Sequence, residues 1–326
     1  MRVSKLHIPV ARAVLLGDTV TMSSNSYSIY THDPSIGAAA TLVALFGVIF
    51  IATVFRCSNT RGPAIRKKRA RRWGWIAIPA AVELAGYVIR IISIQNPTSV
   101  GLYISATVVI LIAPQISAIV AYVVLIAIVV MLDANQLCPV PPRRIAPIWL
   151  SIDLIAGGLQ GGGGGQQTSP GGVRPGLILA LVGMLMQALG FFAFSVITVI
   201  TLRRLVTTSN WLERRTAMRK ISLALLISIL AHNIRFTYRV VEFAWQIAVY
   251  EPGPFSYAPQ IPPVYEYVFD ATMMYFAVAA FPMFFYFGEL DVPGIRGFEY
   301  WFMPKSRRQP LKPVRKQEAA TNGQQT

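Results

Sequence analysis

Within the apolar stretch IRFTYRVVEFAW, Ile234 to Trp245, three ionisable side chains stand four and three residues apart. On a helix Arg235, Arg239 and Glu242 form one charged stripe beside Phe236, Val240, Val241 and Phe243. Other apolar runs hold polar groups of the same kind. Glu83 precedes Arg90 by one heptad, Asp153 precedes Gln160 by one heptad, Gln187 lies mid-way along its run, and Asp270 lies near the start of the last. An arginine or aspartate at the centre of a membrane helix costs about 2.5–3.5 kcal/mol on insertion scales, so these groups are expected to face inward and pair. Arg90, Arg235 and Arg239 would be balanced by Glu83, Glu242, Asp153 and Asp270 around a polar cavity open toward the outer leaflet. Carboxylates there match a cationic amine, and arginines match a phosphate or carboxylate. The competing interpretation is structural: buried ion pairs fix helix rotation and register.

The elements that must position these residues are membrane helices. Hydrophobic residues make up 54% of the 326, charged residues 13%, and mean hydropathy is +0.51, far from the mix of a water-soluble domain. A crossing needs about 20 apolar residues, and seven runs qualify: Ile36–Phe55, Trp73–Ile94, Val100–Leu132, Ile145–Gly161, Gly176–Leu202, Ile221–Trp245 and Val264–Gly288. The third holds Pro114 and is expected to be one tilted, kinked helix, because no polar turn divides it. The fourth is short and dissolves into GGLQGGGGGQQTSPGG, which is expected to be a glycine-rich loop. The fold class is therefore all-α and polytopic. An N-terminal tail occupies residues 1–35, a seven-helix domain residues 36–288, and a basic, disordered tail residues 289–326.

The net charge of +16 could suggest a nucleic-acid partner, but the basic residues are placed otherwise. Twenty-three of the 30 Lys and Arg fall in the connections after the first, third and fifth helices and in the C-terminal tail. The alternate connections hold only Arg174. By the positive-inside rule the basic loops are cytoplasmic, the N-terminus is outside, the C-terminus is inside, and the charge meets anionic lipid rather than nucleic acid. Cys57 and Cys138 then lie at cytoplasmic helix ends, where thiols stay reduced.

Several functions are excluded or disfavoured. The last run contains no lysine for a retinal Schiff base. The glycine run lacks the Lys-Ser/Thr of a phosphate loop, so no ATP-driven pump is expected. His32 and His232 show no paired metal spacing, so neither catalytic residues, metal nor cofactor are expected. A seven-helix receptor shares the topology, but the third run ends in VVMLDANQL with no basic residue beside its acid. A lipid sensor remains the alternative to a transporter.

Six motifs carry a resemblance. ELAGYVIR (Glu83 to Arg90), LIAPQISAIVAY, SIDLIAGGLQGGGG, GLILALVGMLMQALGFFAF, IRFTYRVVEF and YVFDATMM occur in this order on successive helices. Together they closely resemble the fungal lipid-translocating exporter family, which includes sphingoid long-chain-base and aminocholesterol resistance proteins. The resemblance implies a seven-helix plasma-membrane protein that moves or senses amphipathic lipid-like molecules, with membrane lipids as its partners. It also places Glu83, Arg90, Asp153, Gln160, Gln187, Arg235, Arg239, Glu242 and Asp270 at the family's polar positions. Where the family usually has His before the proline of the seventh helix, this chain has Phe281-Pro282.

Overall fold

The computed structural model describes residues 35–59, 74–132, 134–167, 171–207, 215–250 and 261–284. Within them the chain is helical, without strands. The terminal tails, His32, most of the first basic loop and the segment 251–260 lie outside these residues.

Helix α1, Ile36–Ser58, starts at Ser35, whose Oγ accepts from the Ala38 amide at 3.2 Å and so satisfies one free helix-end donor. A 3₁₀ turn, Gly74–Ala77, leads into α2, Ile78–Gln95, with Pro79 in its first turn. Helix α3, Val100–Met131, runs unbroken through Pro114, as its continuous apolar sequence predicts. Helices α4, Pro142–Gln166, α5, Val173–Val206, and α6, Arg215–Val249, follow. The last span, α7, covers Val264–Phe284: one α turn, Pro263–Glu266, a π-helical segment, Tyr267–Ala271, and an α-helix, Thr272–Phe284.

Neighbours in sequence pack as neighbours in space from α1 to α7, and α7 closes the ring against α1, while α3 also touches α6. Of the six spans long and apolar enough to cross a membrane, α3 is 61% buried and α1 28% buried, which makes α3 the central helix and α1 a peripheral one. From Val120 to Val129 every α3 side chain is buried, so this stretch is apolar on all sides. Several serine and threonine hydroxyls inside the spans bond back to the preceding turn, as Thr53 does to Ile49 O at 2.7 Å and Thr198 to Phe194 O at 2.9 Å. These bonds spare the hydroxyls from facing hydrocarbon unpaired.

The glycine-rich segment departs from expectation. Residues Gly161 to Gly165 continue α4 as helix, rather than forming a loop, and only residues 167–172 separate α4 from α5. The physical reason is close backbone contact. A Cβ on Gly163 would lie 2.5 Å from Gly176 O and 2.7 Å from Ala180 N; one on Gly183 would lie 2.7 Å from Ala156 O. Small residues thus let two backbones meet where no hydrophobic force between helices is available. Glycine lowers the hydropathy of α4, but its 25 residues and its packing make it the seventh member of the bundle.

This contact gives a stability prediction. Gly163→Ala is expected to cost about 1–3 kcal/mol by overpacking against fixed backbone, whereas Gly164→Ala, which meets nothing within 4 Å, should be neutral or better. Thermal unfolding in detergent checks both; equal melting temperatures would refute the close α4–α5 seam.

Candidate functional site

The charged groups converge where α2, α6 and α7 meet. Asp270 is their centre. Its carboxylate, 2% exposed, lies 2.6 Å from Arg235 Nε and accepts from Arg239 Nη2 at 2.5 Å and Nε at 3.1 Å. Arg239 also donates to Glu242 at 2.8 Å, three residues along its own helix. The predicted stripe is therefore real, but its anchor lies on another helix. Asp270 sits within the π segment, where Thr272 Oγ1 donates to Tyr267 O five residues back. A π turn rotates the following helix face, and such turns are frequent at functional sites.

Arg90 joins through a residue that the sequence reading did not single out. It donates through Nη1 and Nη2 to the two oxygens of Glu266, both at 2.7 Å, and its guanidinium carbon stands 5.9 Å from the Tyr267 ring centre. Two parallel bonds make this the fork-to-fork geometry favoured by arginine and carboxylate. Glu266 also comes within 3.8 Å of Arg239. Its signal was present: it precedes Asp270 by four residues, hence on the same side of the helix start. Glu83 completes the group, 1% exposed and facing Arg235, Asp270 and Arg239.

Asp153, Gln160 and Gln187 do not join this cluster. Asp153 accepts from Tyr122 OH at 2.8 Å, within an aromatic nest of Trp149, Phe191 and Phe194, and among the described residues it pairs with no arginine. The expected balance of Asp153 against an arginine is thus corrected: Glu266 takes that place. Gln160 Nε2 donates to Gln187 Oε1 at 2.8 Å, one heptad beyond Asp153 and directly on the α4–α5 seam. These three residues hold helices together.

The arginines and acids close on one another, while a cavity of about 860 Å³ lies on the outer surface between α5 and α6. Its walls include Phe192, Val199, Leu226, Leu230 and Val241, all exposed toward hydrocarbon; its polar floor is Asn233, which donates to Ser195 Oγ at 2.7 Å. Tyr238 and Phe269 close the end nearest the ion cluster. His232, considered above for acid–base work, is fully buried; its Nδ1 meets Ser228 O at 2.8 Å and its ring stacks on Phe191.

A family model described as "RTA1 like protein" covers residues 76–290. The chain belongs to the RTA1-like family. This agrees with the resemblance to lipid-translocating exporters. Protein RTM1 of Saccharomyces cerevisiae is 24% identical, across 82% of this chain and 94% of its own length. Protein RTA1 of the same yeast is 25% identical, across 80% and 85% respectively. The yeast Protoporphyrin uptake protein 1 is 25% identical over 64% of this chain and 67% of its own. No solved structure matches. The RTA1-like chain is accordingly a multi-pass membrane protein of a family associated with compound resistance or transport.

Removing the shared acceptor should hurt most. Asp270→Asn leaves Arg235 and Arg239 without their common counter-charge and is expected to cost about 3–5 kcal/mol. Glu242→Gln leaves Arg239 its bonds to Asp270 and should cost about 1.5–3 kcal/mol, the worth of a charged hydrogen bond. Detergent unfolding of the two variants tests this; the reverse order would show that Asp270 is not the hub.

Proposed function

We propose that this chain translocates amphipathic lipid-like molecules across the plasma membrane, with its N-terminus outside and its C-terminus cytoplasmic, and that it makes or breaks no covalent bond. The observation that carries this reading is the position of Tyr238. Its ring forms part of the apolar groove, and its hydroxyl, buried and without a hydrogen-bond partner, faces Glu242, Arg239, Glu266 and Asp270. An amphipathic molecule with its apolar body in the groove therefore has its polar end directed at the charged cluster. Sphingoid, sterol-like and tetrapyrrole molecules share this division, and the uptake named for the yeast protoporphyrin relative is of the same kind. Membrane lipids supply both substrate and surroundings, and the basic loops meet anionic headgroups, not nucleic acid.

A lipid sensor is the second reading. Arg235 and Asp270, 2% exposed, form a closed resting cluster that a receptor could also use. Flux separates the two. Purified protein in vesicles is expected to move at least one of a panel of labelled single-chain lipids, sterols and porphyrins. Filling the groove with Val199→Trp and Leu226→Trp should lower that flux about tenfold, or about 1.4 kcal/mol in barrier, without lowering the melting temperature. Zero flux from folded protein for the whole panel would favour the sensor.

The orientation has its own test. Thr98→Cys lies in an exposed connection expected outside, and Arg143→Cys at an exposed position in the first turn of α4, expected inside. An impermeant thiol reagent should label the first on intact cells and the second only after permeabilisation. Native Cys57 and Cys138 are buried and give little background. Labelling of position 143 on intact cells would invert the topology.

A further inference from the structure

Four carboxyls, of Glu83, Glu242, Glu266 and Asp270, share the cluster with three guanidinium groups, of Arg90, Arg235 and Arg239. Glu242, Glu266 and Asp270 are each held by an arginine at 2.8 Å or closer. Glu83 is different. It is 1% exposed, and neither carboxyl oxygen has a hydrogen-bond partner. The charged groups facing it are Arg235 and Arg239 from α6 and Asp270 from α7, with Tyr87 one turn along its own helix. Helices α1 and α3, also packed against α2, contain no carboxylate, lysine or histidine. Charge in a dry interior balances here when one of the four acids is neutral, and the acid without a partner is the one to carry the proton.

A second observation lies on α6. Ser222 Oγ, Ser228 Oγ, His232 Nε2 and Arg235 Nη2 are all buried without hydrogen-bond partners. Ser228, His232 and Arg235, four and three residues apart, share one side of α6 over about 10 Å of helix at 1.5 Å per residue, whereas Ser222, six residues before Ser228, is turned about 120° away. Buried polar atoms that lack a protein partner are ordinarily satisfied by water.

We propose that Glu83 is a proton-exchange site, which carries one proton in the resting protein and releases it when a cationic amine docks against its carboxylate. The step balances. The O–H bond of Glu83 breaks, the proton passes through water to bulk, and an ammonium replaces it, so the charge of the cluster is unchanged. The inference deepens the translocation reading: inward movement of one ammonium would be coupled to outward movement of one proton, or the reverse.

The test uses full-length protein in lipid nanodiscs, with octadecylamine as probe and its N-acetyl derivative as the neutral control. Binding heat is measured at pH 7 in two buffers of different ionisation enthalpy, and empty nanodiscs are subtracted. About one proton should be released per amine bound by the wild type, and none per acetyl derivative. Glu83→Gln, uncharged and of the same shape, should release none and bind the amine at least tenfold more weakly. Amine binding without proton release, no amine binding at all, or equal release from Glu83→Gln overturns the inference; should that variant not fold, the wild-type count decides alone. Vesicle flux keeps the two readings apart. Amine flux that ignores both a pH gradient and Glu83→Gln sinks the exchange and leaves translocation standing. Proton release without flux of any lipid leaves the exchange and sinks translocation.

Discussion

The bundle depends on one carboxylate in a place where water cannot help it. Asp270 faces two guanidinium groups, Arg235 at 2.6 Å and Arg239 at 2.5 Å, and each is buried among helices that otherwise present hydrocarbon. In such a setting an ion without its partner costs several kcal/mol, whereas the pair itself adds little over an apolar core. The cluster therefore acts as a constraint more than as glue. It permits only those rotations of α2, α6 and α7 that bring Arg90 to Glu266 and both α6 arginines to Asp270. Apolar side chains alone would allow many rotations with similar burial.

The other half of the bundle is held by a different means. Where α4 meets α5, glycine and alanine replace charge, and the backbones approach until a single added Cβ would collide with a carbonyl. Gln160 on α4 donates to Gln187 on α5 along this seam, and Asp153 on α4 accepts from Tyr122 on α3. Close packing here and charge pairing at α6–α7 solve the same problem, because lipid removes the hydrophobic drive between helices and leaves contact and polar satisfaction to choose partners. Between the two regimes, along α5 and α6, the surface opens into the apolar groove.

Much of this was legible in the sequence. Apolar runs of sufficient length gave seven helices, and the unbroken run through Pro114 gave one helix where a proline rule alone would cut it. The cost of intramembrane charge correctly turned Arg235, Arg239, Glu242 and Asp270 toward one another. What stayed hidden was partner choice. Asp153 and Glu266 are both acids in or near a span, and heptad spacing cannot say which one reaches an arginine, since that depends on helix order in space and on the π segment that turns Asp270. The glycine run misled for a related reason: glycine is a poor helix former in water, but in lipid the backbone must bond to itself, and a glycine face is then a packing surface.

Tyr238 shows how the two environments are joined. A tyrosine is amphipathic, with a ring at home in hydrocarbon and a hydroxyl that seeks a polar partner. Here the ring stacks on Phe269 at 5.8 Å in the groove wall, while the hydroxyl is left without a hydrogen bond beside a cluster of fixed charge. A hydroxyl so placed is an incomplete contact, as are both oxygens of Glu83 deeper in the same region. Structural ion pairing alone would have no use for unsatisfied groups at its edge, because each raises the energy of the folded state. A protein that receives the polar end of a molecule whose apolar body travels in the lipid does have a use for them. The arginine–acid pairs hold the geometry, and under the proposed translocation the unpartnered atoms beside them are where a ligand's polar end would gain what the protein alone leaves unmade.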